Sequence, residues 1–169
     1  MKAIIVSLAL FSLNARAQES APRWDTFLDT LQQRTIEWFL HATPEATGLT
    51  PDRWPSPSPS SVAAVGFALT VYPVAAERGM IAREEAASRV KKTLDLLLHA
   101  PQNDGRAGAA GYRGLFYHFV ALADGTRAWN CELSTIDTAL LMAGVLCAES
   151  YFDRETEVES SIREAADSL

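Results

Sequence analysis

Two stretches of this chain carry no charge and consist almost wholly of small or apolar residues: VAAVGFALTVYPVAA at 62–76 and TALLMAGVLCA at 138–148. A helix that is apolar all round is expected to be buried on all sides. The two stretches therefore predict inner helices, from Val62 to about Glu77 and from Thr135 to about Tyr151, with Pro73 kinking or splitting the first. Ser60 or Ser61 can cap one and Ser134 the other. Each is followed by a charged, amphipathic helix. The first, Arg83 to His99, has Val90, Leu94, Leu97 and Leu98 inward and Arg83, Glu84, Glu85, Arg89, Lys91 and Lys92 outward; the second runs from Thr156 to Leu169. A buried helix paired with a half-wetted one, twice over, predicts two concentric layers of helices. This is an all-α, partial α/α toroid built of antiparallel helical hairpins, since an ordinary bundle makes its helices uniformly amphipathic.

Ahead of these lies a helix from Trp24 to His41, with Trp24, Phe27, Leu28, Leu31, Trp38 and Phe39 near helical spacing on one face. The loop ATPEATGLTPDRWPSPSPSS follows it. Pro51, Pro55, Pro57 and Pro59 remove backbone donors there and exclude helix or central strand. It reads either as a low-complexity spacer or as a working loop that carries Asp52, Arg53 and Trp54. Between the hairpins, the Gly-rich PQNDGRAGAAG precedes GLFYHFVAL and TRAWNCEL, which flank Ala123-Asp124-Gly125 and predict one short β-hairpin. The last residues, IREAADSL, remain in helical register, and two hairpins plus one helix cannot close a toroid. The chain is therefore expected to be the N-terminal part of a longer protein.

The N-terminus carries Lys2, an apolar stretch from Ala3 to Leu13, and Ala15-Arg16-Ala17. That order predicts a signal peptide at 1–17 cleaved after Ala17, and hence a periplasmic or secreted bacterial protein. The apolar stretch rises only about 16 Å as a helix, too little for a membrane anchor. The domain proper would be 18–169. Without Lys2 and Arg16 it has 13 basic against 21 acidic residues, a net charge of −8. A polyanion partner such as nucleic acid needs a basic patch that this balance disfavours. Cys131 and Cys147 are separated mostly by one helix, whose rise holds them too far apart for a disulfide. Cys147 reads as a small buried apolar residue.

Four groups can carry chemistry. Glu132 and Asp137 sit at the mouth of an inner helix, where two carboxylates can act as general acid and base or hold a sugar hydroxyl; Ser134-x-x-Asp137 equally fits a capping box. Asp52, Arg53 and Trp54 precede the other inner helix, so both loops are expected on one rim. There an Arg-Asp pair can grip vicinal hydroxyls and a Trp can stack on a pyranose; a surface ion pair and a loop-packing Trp fit as well. In a strand, Tyr117 and Phe119 would point one way and Phe116 and His118 the other, His118 being either a base or a hydrogen-bonded structural residue. Trp129 is core or a sugar platform. No second His or Cys stands at metal spacing beside His118, so neither a metal nor a cofactor is expected. Phosphate-loop, dinucleotide, nucleophile-elbow and HExxH patterns are missing from the sequence.

GLTPDRWPSPSPSSVAAVGFALTVYPVAAERGMIAREEAASRV, GYRGLFYHFV and ELSTIDTALLMAGVL, in that order, resemble the N-terminal part of the bacterial glycoamylase-like domain family. The resemblance runs from about Phe27 to Leu169. It implies a single (α/α)6 toroid, of which this chain is the front part. It also implies a glycoside hydrolase fold that includes inverting endo-β-1,2-glucanases, an oligo- or polysaccharide substrate, and no cofactor. Asp52, Arg53 and the stretch from Glu132 to Asp137 would then lie on the cleft rim, with Trp54, Trp129, Tyr117 and His118 facing substrate and at least one essential carboxylate beyond Leu169. Asn130-Cys131 departs from the family pattern. The alternative is a non-catalytic glycan-binding or helical scaffold protein.

Overall fold

The structure is a computed structural model that describes residues 23–105 and 107–169, with side chains from Asp25 onward. The expected signal peptide at 1–17 lies outside the described residues. Five helices follow in order: α1 (Arg23–Ala42), α2 (Val62–Glu77), α3 (Arg83–His99), α4 (Thr135–Tyr151) and α5 (Glu157–Ser168). Four two-residue strands accompany them: β1 (Ser60–Ser61), β2 (Gly111–Tyr112), β3 (Leu115–Phe116) and β4 (Phe119–Val120). The chain divides after Gln33. In the part before it, Phe27, Leu28 and Leu31 are exposed rather than buried on the expected apolar face. The part after it contains everything that follows.

There α2 packs on both α3 and α4, and α5 on α3 and α4, which is the expected pair of layers, with α2 and α4 inside. Their N-termini are stitched to one segment: Val62 N donates to His118 O at 3.1 Å and Ser134 N to Phe116 O at 3.0 Å. Ser61 occupies the N-cap of α2 but makes no side-chain cap, so His118 O supplies an acceptor there instead. Ser134 does cap α4, accepting from Asp137 N at 3.1 Å. With both helices starting side by side on residues 116–118, they run in the same direction.

They also cross at backbone contact. A Cβ on Gly66 would stand 2.7 Å from Leu141 Cα, and one on Gly144 would stand 2.7 Å from Gly66 Cα. No side chain fits between two backbones so close, so both positions need glycine. Around this crossing lies the core of Val62, Val65, Leu69, Tyr72, Leu141 and Val145, closed by Val90 and Leu94 from α3 and Phe152 and Ile162 at the α5 side.

Several expectations are corrected. Pro73 does not split α2, which runs unbroken to Glu77. The inner helices are not covered all round: Phe67, Ile136, Leu140 and Leu146 are 52, 73, 39 and 60% exposed. Leu98 is exposed on α3, and Cys131 is buried whereas Cys147 is half-buried, both cysteines being free. Arg83 does not point into water. Its Nε and one terminal nitrogen each lie 2.9 Å from a different oxygen of Glu159, whose side chain is 5% exposed, and it also donates to Tyr151 O at 2.8 Å. This fork fastens the start of α3 to the start of α5.

The hairpin is also rearranged. The Asp-Gly turn does fold back, with Val120 bridging Arg127, but β4 takes β1 as its ladder partner, Ser60 facing Val120 and Ser61 facing Phe119. The closed hairpin is β2–β3, around Arg113-Gly114.

Gly144→Ala forces the two inner backbones apart and should lower stability by about 3 kcal/mol, seen as a lower urea midpoint. Glu159→Gln removes the buried carboxylate that grips Arg83, leaving it the exposed Asp153 and the Tyr151 carbonyl, and should lower stability by about 2 kcal/mol at pH 7. Arg83 holds the Glu159 carboxyl below the usual carboxylate range. A depressed folded pKa stabilises above the unfolded value and loses that stabilisation as pH falls through the folded one. The gap between wild type and variant should therefore close below about pH 4, which thermal melts across pH 3–7 will show.

Candidate active site

The rim is organised by a narrow β-ladder. Pro51 bridges Ser60, Ser60 pairs with Val120, and Val120 bridges Arg127. The Asp52–Trp54 loop and the 127–133 segment are thus fastened to the two sides of β1–β4, at the end of the molecule where α2 and α4 begin. Asp52 N donates to Pro59 O at 2.9 Å and Ser60 Oγ to Thr50 O at 2.6 Å, which closes the proline loop on its own stem.

His118, just before β4, holds the centre. Its backbone N–H donates to Glu132 O at 3.0 Å, and its ring Nδ1 lies 3.2 Å from Glu132 Oε1. On the far side of the ring, Nε2 faces Asp137 Oδ1 at 3.8 Å, beyond direct hydrogen-bond distance. The other Asp137 oxygen accepts from the Ser134 hydroxyl. Asp137 therefore belongs to the cap of α4 and faces the imidazole at once. The two capping-box and catalytic readings of this residue are not mutually exclusive.

A neutral imidazole donates from one nitrogen and accepts at the other, so His118 can pass a proton between the neighbourhoods of two carboxylates. The two distances and the ring between them limit the separation of the facing oxygens to about 9 Å. The Glu132 side chain is 68% exposed, and its carboxyl is held below the usual range, chiefly by its own backbone amide and then by His118. It is ionised at neutral pH, which suits a base or a charge-stabilising group and not a general acid. Because these carboxylates sit on opposite ring nitrogens, they do not converge on a point. Among the described residues no three His, Cys, Asp or Glu side chains are placed to hold a metal ion.

Aromatic residues surround the imidazole. Phe119 stacks on His118 with centroids 3.9 Å apart, and Trp129 meets Phe119 edge-on at 5.1 Å. Trp129 is 65% exposed and held at φ 57°. That left-handed backbone is strained for a bulky residue. It arises where the 128–132 segment bulges between the Val120–Arg127 and Tyr117–Leu133 bridges. The Trp54 ring is also exposed, preceding a cis Pro55, while Asp52 and Arg53 pair with each other at 3.0 Å.

Tyr117 is the exception among the expected substrate contacts. It is buried with Ala109 and Cys131, under the Arg127 guanidinium at 4.4 Å from its ring centre, and offers no stacking face. The strand is too short and irregular for strict alternation, so Phe119 comes to the His118 side instead. Phe119 was missed as a site residue because alternation placed it with Tyr117.

The arrangement is that of a helical-hairpin fold with a carboxylate–imidazole–carboxylate rim. No family model matches the sequence. Over 154 residues the chain is 25% identical to a sophorohydrolase of Parabacteroides distasonis that acts on β-1,2-glucooligosaccharides from the non-reducing end, covering 86% of this chain and 20% of that protein. The crystal structure of a β-1,2-glucanase from the same species superposes with a TM-score of 0.73 at 25% identity, over 85% of this chain and 20% of that one. The endo-β-1,2-glucanase of Chitinophaga pinensis, solved with sophorotriose and glucose, superposes with a TM-score of 0.71 at 20% identity, over 87% of this chain and 36% of that one. The resemblance to the glycoamylase-like family therefore holds in sequence and in fold. The chain spans between a fifth and about a third of the length of these relatives.

His118→Asn removes one of the two side-chain influences on Glu132 but keeps its own amide. The Glu132 carboxyl should then titrate at a higher pH than in wild type yet still below an ordinary glutamate, as followed by carbon-13 NMR. A shift all the way to the ordinary value would contradict the geometry.

Proposed function

We propose that this chain is the front part of an exported glycoside hydrolase that cleaves a β-glucan, with β-1,2-glucan the first choice, by an inverting two-carboxylate mechanism. The observation that carries the reading is the His118 cluster, which keeps Glu132 and Asp137 on opposite sides of one ring at the mouth of an inner helix. Inverting hydrolases separate their two carboxyls by about 6.5–9.5 Å to admit a water; the distance across His118 is capped at about 9 Å, so the two carboxyls fall no farther apart than that range allows. The named activities of the sophorohydrolase and of the β-1,2-glucanases support the choice of substrate.

In this reading Glu132, ionised and solvent-facing, draws the proton from the attacking water. Asp137, tied by Ser134 and facing His118, is the chain's candidate for the acid. Trp129 and Trp54 give flat apolar faces for sugar rings, while Asp52 and Arg53 bind hydroxyls at the edge. Export is supported by Lys2, the apolar 3–13 stretch and Ala15-Arg16-Ala17, and it matches a substrate met outside the cytoplasm.

In the protein that contains this chain, Glu132→Gln and Asp137→Asn should each slow release of reducing sugar from β-1,2-glucan by about a hundredfold or more, with little change in thermal midpoint. The first product seen by proton NMR should be the α-anomer. If Asp137→Asn keeps the wild-type rate and only loses about 1 kcal/mol of stability, Asp137 is a helix cap alone. Glucan binding without any hydrolysis in the wild type would favour a glycan-binding protein over an enzyme.

A further inference from the structure

A second polar hollow lies away from the rim. The turn after α1, the middle of α2 and the first half of α3 enclose a pocket of about 210 Å³, lined by Thr43, Glu45, Tyr72, Ser88, Arg89 and Lys92. Tyr72 is 1% exposed, yet its hydroxyl has no hydrogen-bond partner. Buried side-chain polar atoms are nearly always satisfied, because losing water without a replacement partner is costly. Thr43 and Arg89 lie near enough to act on this hydroxyl, but neither meets it in hydrogen-bond geometry, and both are engaged elsewhere. Thr43 Oγ1 lies 2.9 Å from Thr50 Oγ1, and Arg89 pairs with Glu85 at 3.0 Å and with Glu45 at 3.8 Å. The hydroxyl is thus a buried donor and acceptor without a protein partner, on a residue that lines the pocket.

We propose that this pocket binds one neutral sugar ring, at a site separate from the His118 cluster. Tyr72 is ten residues along α2 from Val62, where that helix meets His118 O, which places the pocket about 15 Å from the rim. Its size is below the range of about 300–1,000 Å³ that holds drug-sized ligands, so it admits one small molecule. The charges select the chemistry. Arg89 is already neutralised by two glutamates, and with Lys92 the wall carries two positive and two negative groups. An anion would meet the carboxylates of Glu45 and Glu85, and a cation would meet Arg89 and Lys92. A polyol suffers neither repulsion: vicinal hydroxyls donate to the glutamates, accept from Arg89 and Lys92, and meet the hydroxyls of Thr43, Ser88 and Tyr72. The pocket shares no lining residue with the rim, so occupancy of one does not require the other.

The test is saturation-transfer NMR on the full chain with D-glucose, with inorganic phosphate and L-alanine as parallel probes. Wild type should show saturable glucose binding. Tyr72→Phe, which removes only the unpaired hydroxyl, should weaken it about tenfold while the thermal midpoint stays level or rises. The Tyr72-dependent part of the glucose signal is the readout, which separates this pocket from any binding at the rim; a failure of the β-glucan reading does not touch it. Two results would overturn the proposal: no saturable glucose binding, or binding insensitive to Tyr72→Phe. Tyr72-dependent binding of phosphate or alanine in place of glucose would overturn the choice of ligand.

Discussion

The close crossing of α2 and α4 at Gly66 and Gly144 is the constraint on which the rest of the molecule rests. Two helices normally keep about 8–10 Å between axes because side chains fill the space. Here glycines remove the side chains and each backbone lies against the other. Two helices so close, both started from residues 116–118, have their N-termini adjacent. The loops that feed those termini are then neighbours as well, joined through Pro51, Ser60, Val120 and Arg127. The crossing and the Pro51–Ser60–Val120–Arg127 ladder together bring Asp52–Trp54 and Glu132–Asp137 to the same end.

The groups on that rim serve structure and chemistry together. Asp137 completes the start of α4 with one oxygen and faces His118 with the other. His118 supplies the acceptor that Ser61 does not, receives the Glu132 carboxylate on its ring, and lies under Phe119. Trp129 is exposed by a strained bulge in the same segment. This explains why a helix-cap and a site-residue account of Asp137 fit the sequence equally well: one oxygen meets Ser134 and the other faces His118.

Much of the fold was legible in the sequence because its signals are local. The runs without charge marked α2 and α4, alternating charged and apolar faces marked α3 and α5, and Ser134 marked a true cap. The spacing also sets Glu132 and Asp137 together at the mouth of α4 with Trp129 three residues ahead of Glu132; that His118 lies between the two carboxylates is not visible in it. What it missed depends on partners distant in sequence. Gly66 and Gly144 look like any small residues until each is seen against the other. Arg83 reads as a surface charge until Glu159, far along the chain, accepts it. Tyr117 is apolar and aromatic wherever it lies, and only Arg127 above it decides that it is core. The exposed Phe67, Ile136, Leu140 and Leu146 show that an apolar sequence reports what a surface can pack against, not what covers it within a given set of residues.

The central claim is that the crossing exists to present a glycan-handling cluster around His118. The most direct measurement is a crystal structure of the protein containing this chain with a β-1,2-linked glucose trisaccharide bound. The account predicts sugar hydroxyls within hydrogen-bond distance of Glu132 and Asp137 and a ring lying against Trp129. A trisaccharide ordered elsewhere, with the His118 cluster untouched, would contradict it.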